Sequence, residues 1–132
     1  MSKKTIAPPS DFELQILGTL WEAGPATVRQ VMERLCDGKV RAYTSVLSVM
    51  QVMQKKGLLG VSKERDGQAH IFQPLVSRQQ VVGPLLRGLV GKVFGGRTHS
   101  AVQHLLAEDH IDGDEIEQLR KLLDEIEARQ KK

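Results

Sequence analysis

From Ser10 to Met53 the apolar residues recur in threes and fours, the spacing that gathers them on one side of a helix. Phe12, Ile16, Leu17, Leu20 and Trp21 define a first helix. Ser10 and Glu13 have capping-box spacing at its start, Pro8 and Pro9 discourage an earlier one, and Gly24 and Pro25 end it. Thr27 and Gln30 repeat the capping signal and open a short second helix bearing Val28, Val31, Met32 and Leu35, which stops near Asp37 and Gly38. A third helix is predicted from Tyr43 and Thr44 to Lys56, with Gly57 at its C-terminal end. Val46, Val49, Met50 and Met53 form its apolar face. Thr44, Ser45, Leu47, Ser48, Gln51, Gln54 and Lys55 are left largely outward.

The pattern then changes to strands. Leu58–Glu64 and Ala69–Gln73 flank an Asp66–Gly67 pair, whose glycine supplies the positive φ of a tight hairpin turn. Three short helices followed by such a hairpin describe a winged helix-turn-helix, with the third helix as the element that enters a DNA major groove. Beyond the hairpin the helical period returns. Ser77 and Gln80 cap a helix running to Phe94, with Val81, Val82, Leu85, Leu86, Leu89, Val90 and Val93 on its apolar side and Gly95 and Gly96 after it. A short helix near Ser100–Glu108 groups Val102, Leu105 and Leu106. Asp112 and Glu115 start a last one with Ile116, Leu119, Leu122, Leu123 and Ile126. The expected fold is mainly α with a small β-hairpin wing: a winged-helix domain over residues 1–76 and a helical dimerisation domain over residues 77–132.

The 132 residues suffice for one small domain with a helical appendage and exclude a large multidomain enzyme. The chain is 40% hydrophobic and 27% charged, an ordinary globular balance. Its net charge of +3 identifies no partner, but the distribution of charge is informative. Between Arg34 and Arg65 seven basic residues face only Asp37 and Glu64, whereas from Glu108 to Glu127 nine acids face only Arg120 and Lys121. A basic middle suits a polyanion, because Lys and Arg beside phosphates displace condensed counterions. The acidic end should avoid DNA. Cys36, the one cysteine, forms no internal disulfide and fits a reducing compartment and a core position. No apolar run approaches the roughly 20 residues that span a bilayer, and no signal-peptide pattern opens the chain, so a cytoplasmic protein with no membrane association is expected.

Candidate chemistry concentrates on the third helix. Thr44, Ser45 and Ser48 offer hydroxyls for base edges or phosphates, the Gln51 amide matches adenine, Tyr43 reaches a phosphate or a thymine methyl, and Leu47 meets a thymine methyl if it faces out. Helix capping by Thr44 or Ser45, and packing of Tyr43 beneath the helix, are the competing structural readings. Arg41, Lys55, Lys56, Lys63 and Arg65 are candidate phosphate contacts, with Gln68 and His70 on or beside the wing. No metal or cofactor is expected: His99, His104 and His110 are five and six positions apart, which aims no two imidazoles at one ion along a helix. The chain has no phosphate loop, nucleophile elbow or His-Glu metal motif, and so no sign of an enzyme. The C-terminal stripes, Val82, Leu85, Leu86, Leu89, Val93, Val102, Leu105, Leu106, Ile116, Leu119 and Leu123, exceed what one chain buries well, and predict a homodimer.

In order along the chain, Leu14–Trp21 (LQILGTLW), Ala26–Val31 (ATVRQV), Tyr43–Met53 (YTSVLSVMQVM), Lys56–Leu59 (KGLL), Arg65–Leu75 (RDGQAHIFQPL), Val93–Gly96 (VFGG) and Leu105–Leu123 resemble the penicillinase repressor family. This family comprises bacterial regulators of β-lactamase and methicillin-resistance genes and their copper-responsive relatives. The resemblance implies a dimeric winged-helix repressor on inverted-repeat DNA operators. The family's Thr-Val-(Lys/Gln)-Thr stretch falls on Ser45, Val46, Leu47 and Ser48, so Leu47 replaces a polar base-reading position. The resemblance also implies a sensor-linked protease as a partner, acting at an Asn-Phe pair; His104 and Leu105 occupy that place here. The Cys-x-Cys motifs of the copper-responsive members are absent, which argues against copper sensing through thiolates. A winged-helix protein-protein adaptor, and a metal- or small-ligand-responsive regulator with the same DNA lobe, are the alternatives; salt-sensitive binding to a defined duplex, and a ligand-dependent shift in that binding, distinguish them.

Overall fold

The computed structural model describes residues 8–35, 38–63, 69–108 and 110–131. Their order is α1 (Asp11–Ala23), α2 (Val28–Arg34), α3 (Tyr43–Lys55), β1 (Leu59–Lys63), β2 (His70–Pro74), α4 (Arg78–Phe94), α5 (Thr98–Glu108) and α6 (Gly113–Gln130). The mainly helical fold with one antiparallel hairpin is the architecture expected from the pattern. The Asp66–Gly67 turn and Cys36 lie outside the described residues. The chain divides into two compact units, one ending at Leu86 and the other running from Arg87.

Local hydrogen bonding explains where the helices of the first unit begin. Ser10 Oγ accepts from the Glu13 N–H at 3.2 Å while Glu13 Oε1 accepts from the Ser10 N–H at 2.9 Å, a reciprocal cap. Thr27 and Gln30 repeat it at 3.2 and 2.9 Å, and Ser77 and Gln80 at 3.0 and 2.8 Å. α3 has no such device. Its N-cap is Ala42, without a side-chain hydrogen bond, so neither Thr44 nor Ser45 is spent on capping. Gly57, at φ 84°, turns the chain out of α3, and the Leu58 N–H reaches back to the Met53 carbonyl at 2.9 Å.

Ile16, Leu17 and Leu20 of α1, Val28 and Val31 of α2 and Val46, Met50 and Met53 of α3 close on one another over Leu58, Leu59 and Phe72. β1 and β2 pair antiparallel with Val61 opposite Phe72. A third backbone segment joins them: the Ala26 N–H donates to the Phe72 carbonyl at 3.0 Å, and the Ala26 carbonyl accepts from the Phe72 N–H at 2.8 Å. The hairpin is thereby tied to the turn between α1 and α2. Trp21 closes the other end, its Nε1–H donating to the Val76 carbonyl at 3.0 Å, and Val81 carries the start of α4 into the same core. Pro84, inside α4, removes one backbone donor from that helix.

In α6 the Asp112 carboxylate accepts from the Glu115 N–H at 2.8 Å. α5 begins at Thr98, two residues ahead of the Ser100 start expected from periodicity. Among the described residues, none in α5 or α6 is buried.

Candidate nucleic-acid interface

Three flanks of α3 follow from its geometry. A residue advances about 100° around an α-helix, so Thr44, Ser48, Gln51 and Lys55 fall within about 60° of arc, opposite the buried Val46, Met50 and Met53. All four are exposed. This ridge carries two hydroxyls, an amide and a cation, the donor and acceptor set that base edges and phosphates take up.

Ser45 is exposed but rotated toward the α1 side, near a small apolar groove of about 250 Å³ between α1 and α3 that includes Phe12, Ser48, Val49 and Val52. Tyr43 and Leu47 turn the other way. They line a groove of about 510 Å³ together with Arg29, Gln51, Gln54 and the wing residues Val61, His70 and Phe72. Leu47 is half-buried and packs against the core instead of facing fully outward, which gives its apolar side chain a packing reason. Tyr43 is 40% exposed and does not pack beneath the helix.

The basic residues occupy distinct settings. Lys55 is exposed at the end of α3. Lys63 ends β1, and Arg65 and Gln68 lie outside the described residues. Arg41 is half-buried, its guanidinium 4.2 Å above the Phe12 ring. Lys56, grouped with the phosphate contacts from its charge, instead places Nζ 2.9 Å from Glu13 Oε2 and 3.2 Å from Oε1. Burial pushes the Glu13 carboxyl up, but hydrogen bonds from the Ser10 N–H and Lys56, with the Lys56 charge, outweigh it and hold the group below the ordinary carboxylate range. Arg29 escaped the sequence reading: its guanidinium lies 5.0 Å from the Tyr43 ring centroid. Nothing in the periodicity of α2 announces it, since the contact depends on how α2 packs on α3.

Among the described residues, much of the C-terminal apolar surface is exposed. Leu85, Leu86, Leu89, Val93, Val102, Leu105, Leu106, Ile116 and Leu123 are exposed, and Val82 and Leu119 half-buried. His104 and Leu105 sit inside α5, His104 with Nδ1 3.1 Å from the Ser100 carbonyl and its ring 5.1 Å from that of Phe94. Among the described residues no three His, Cys, Asp or Glu side chains converge as a metal site, and no helix is long and apolar enough to cross a membrane.

A profile of the penicillinase repressor family matches residues 9–125. The chain is similar to the transcriptional regulator BlaI of Mycobacterium tuberculosis, with 35% identity over 120 residues, 89% of this chain and 84% of that one. It is similar to the penicillinase repressor of Bacillus licheniformis, with 23% identity over 97% of this chain and 98% of that one. Among solved structures, that of monomeric Bacillus licheniformis BlaI in complex with the blaP half-operator aligns with a TM-score of 0.48 and 22% identity, over 59% of this chain and 93% of the other.

Proposed function

We propose, from the premise that this chain belongs to the penicillinase repressor family, that it is a homodimeric, sequence-specific DNA-binding repressor of transcription and not an enzyme. The observation that carries the reading is the ridge of α3: Thr44, Ser48, Gln51 and Lys55 project from a helix whose opposite side is locked into the core, and none of the ridge side chains is spent on a cap. A rigid, polar, outward helix in a winged lobe is the element that reads a major groove. Lys55, Arg41, Lys63, Arg65 and Gln68 belong to the backbone contacts that set position without specifying sequence. The helical region from Ser77 onward supplies the dimer, because the uncovered stripes of α4, α5 and α6 lose their exposure when a second copy meets them. Twofold symmetry makes the operator an inverted repeat with half-sites one duplex turn apart, roughly 34–36 Å, or a multiple of that.

Selection from a random duplex library with the full chain tests this. Enrichment of an inverted repeat, bound about a thousandfold or more tighter than mixed-sequence DNA, is the expected result; binding with no sequence preference overturns it. A sensor-linked protease remains part of the proposal by position only: His104–Leu105 lies on a hydrogen-bonded helix, and cleavage there requires α5 to open first.

A further inference from the structure

Arg29, Arg41 and Arg78 of the first unit each lie over an aromatic ring. Arg78 is 5.6 Å from the Trp21 centroid and is also paired with Glu22 at 2.8 Å. Arg41 covers Phe12, a residue of α1. Arg29 differs from both. It is exposed, it pairs with no carboxylate among the described residues, and the ring it covers belongs to the first residue of α3. The adjoining groove between α3 and β2 adds Gln54 and His70 to its walls, and among the described residues no acid lines it.

A guanidinium stacked on a ring uses its face and keeps its N–H edge free for planar, bidentate partners such as phosphate. The stack also removes much of the rotamer freedom that a flexible arginine would lose on binding.

We propose that Arg29 is a DNA-backbone anchor contributed from outside α3, and that Tyr43 is its positioning residue, so that the pair sets the register at which Thr44, Ser48 and Gln51 meet base edges. The proposal rests on the DNA-binding reading above and changes the role of Tyr43: its ring holds Arg29 and does not itself read a base. An arginine borne on α2 and clamped to the start of α3 joins the two helices on one phosphate.

Anisotropy titrations of the full chain with the selected duplex and with a mixed-sequence duplex, across a salt series, test it. If wild-type chain binds neither duplex, the DNA-binding reading fails whatever Arg29 does. Given wild-type binding, Arg29→Ala is expected to weaken both duplexes about tenfold and to lower the log-log salt slope by about one. Arg29→Lys keeps the charge and the slope but loses the bidentate fork and part of the affinity. Tyr43→Phe retains the ring and binds as wild type, Tyr43→Leu weakens binding toward Arg29→Ala, and the double variant Arg29→Ala with Tyr43→Leu is no weaker than Arg29→Ala alone. An unchanged slope in Arg29→Ala overturns the anchor. A Tyr43→Leu loss of equal size with and without Arg29 overturns the positioning role and makes Tyr43 a DNA contact in its own right. Both residues are exposed, and thermal melts of the Arg29 variants and Tyr43→Phe report whether the fold is intact.

Discussion

Lys56 Nζ sits 2.9 Å from Glu13 Oε2, joining the residue that caps the end of α3 to the first turn of α1. The same carboxylate closes the Ser10 cap, so one side chain starts α1, pairs with a cation and holds the two helices together. Its side chain is 5% exposed against 46% for Lys56, so the carboxylate bears most of the desolvation and depends on both partners.

The sign of its pH dependence follows. Glu13 has a folded pKa below its reference value of 4.5, so its contribution to stability is complete above that value and declines as pH falls through the folded pKa. Melting temperature should drop on the acid side, and Glu13→Gln should flatten that limb. Lys56→Met should cost about 1–3 kcal/mol at neutral pH by urea denaturation, because it leaves a buried carboxylate short of a partner. Equal acid sensitivity in wild type and Glu13→Gln would remove Glu13 from the account.

Thr44→Ala with Ser48→Ala should narrow the gap between operator and mixed-sequence affinity while leaving the salt slope in place, since hydroxyls and not charges are lost. Ser45→Ala, off the ridge, should change discrimination less. A gel-shift competition separates them; a larger effect of Ser45 would mean that DNA approaches from the α1 side.

Phe72→Ala should destabilise the fold by about 3–5 kcal/mol, because Phe72 is buried, faces Val61 across the hairpin and meets Ala26 through the backbone. Phe72→Leu, which keeps most of the volume, should cost far less. Chemical denaturation of both checks this, and similar losses would show that the ring does not fill the space.

For the proposed homodimer, wild-type chain should sediment as a dimer and Leu89→Asp with Leu123→Asp as a protomer. These residues are 54% and 65% exposed within the chain, so protomer folding, read by circular dichroism, should survive the change. A variant that still sediments as a dimer would place the interface elsewhere.

The local elements were legible because their causes are local. Ser10 with Glu13, Thr27 with Gln30 and Ser77 with Gln80 each carry their whole capping interaction within three positions, and all three form as spaced. The ridge of α3 could likewise be drawn from helical period alone. What escaped depends on packing between distant segments: Lys56 reaches Glu13 across 43 positions, Ala26 meets Phe72 through backbone atoms that no side-chain pattern reports, and Arg29 finds Tyr43 through the fit of α2 on α3. The half-buried setting of Leu47 was hidden for a related reason. A residue at the edge of an apolar stripe is placed by its neighbours' volumes, and its own helical angle leaves two sides open.

The paired hydrogen bonds between Ala26 and Phe72 have a mechanical consequence. The wing is stitched to the bend that launches α2, and α2 packs on α3, so hairpin, bend and probe helix form one continuous packed unit. In the proposed complex with DNA, a lobe braced this way would leave more of the fitting to the duplex, so sequences that flex easily would gain an advantage even at steps no side chain touches.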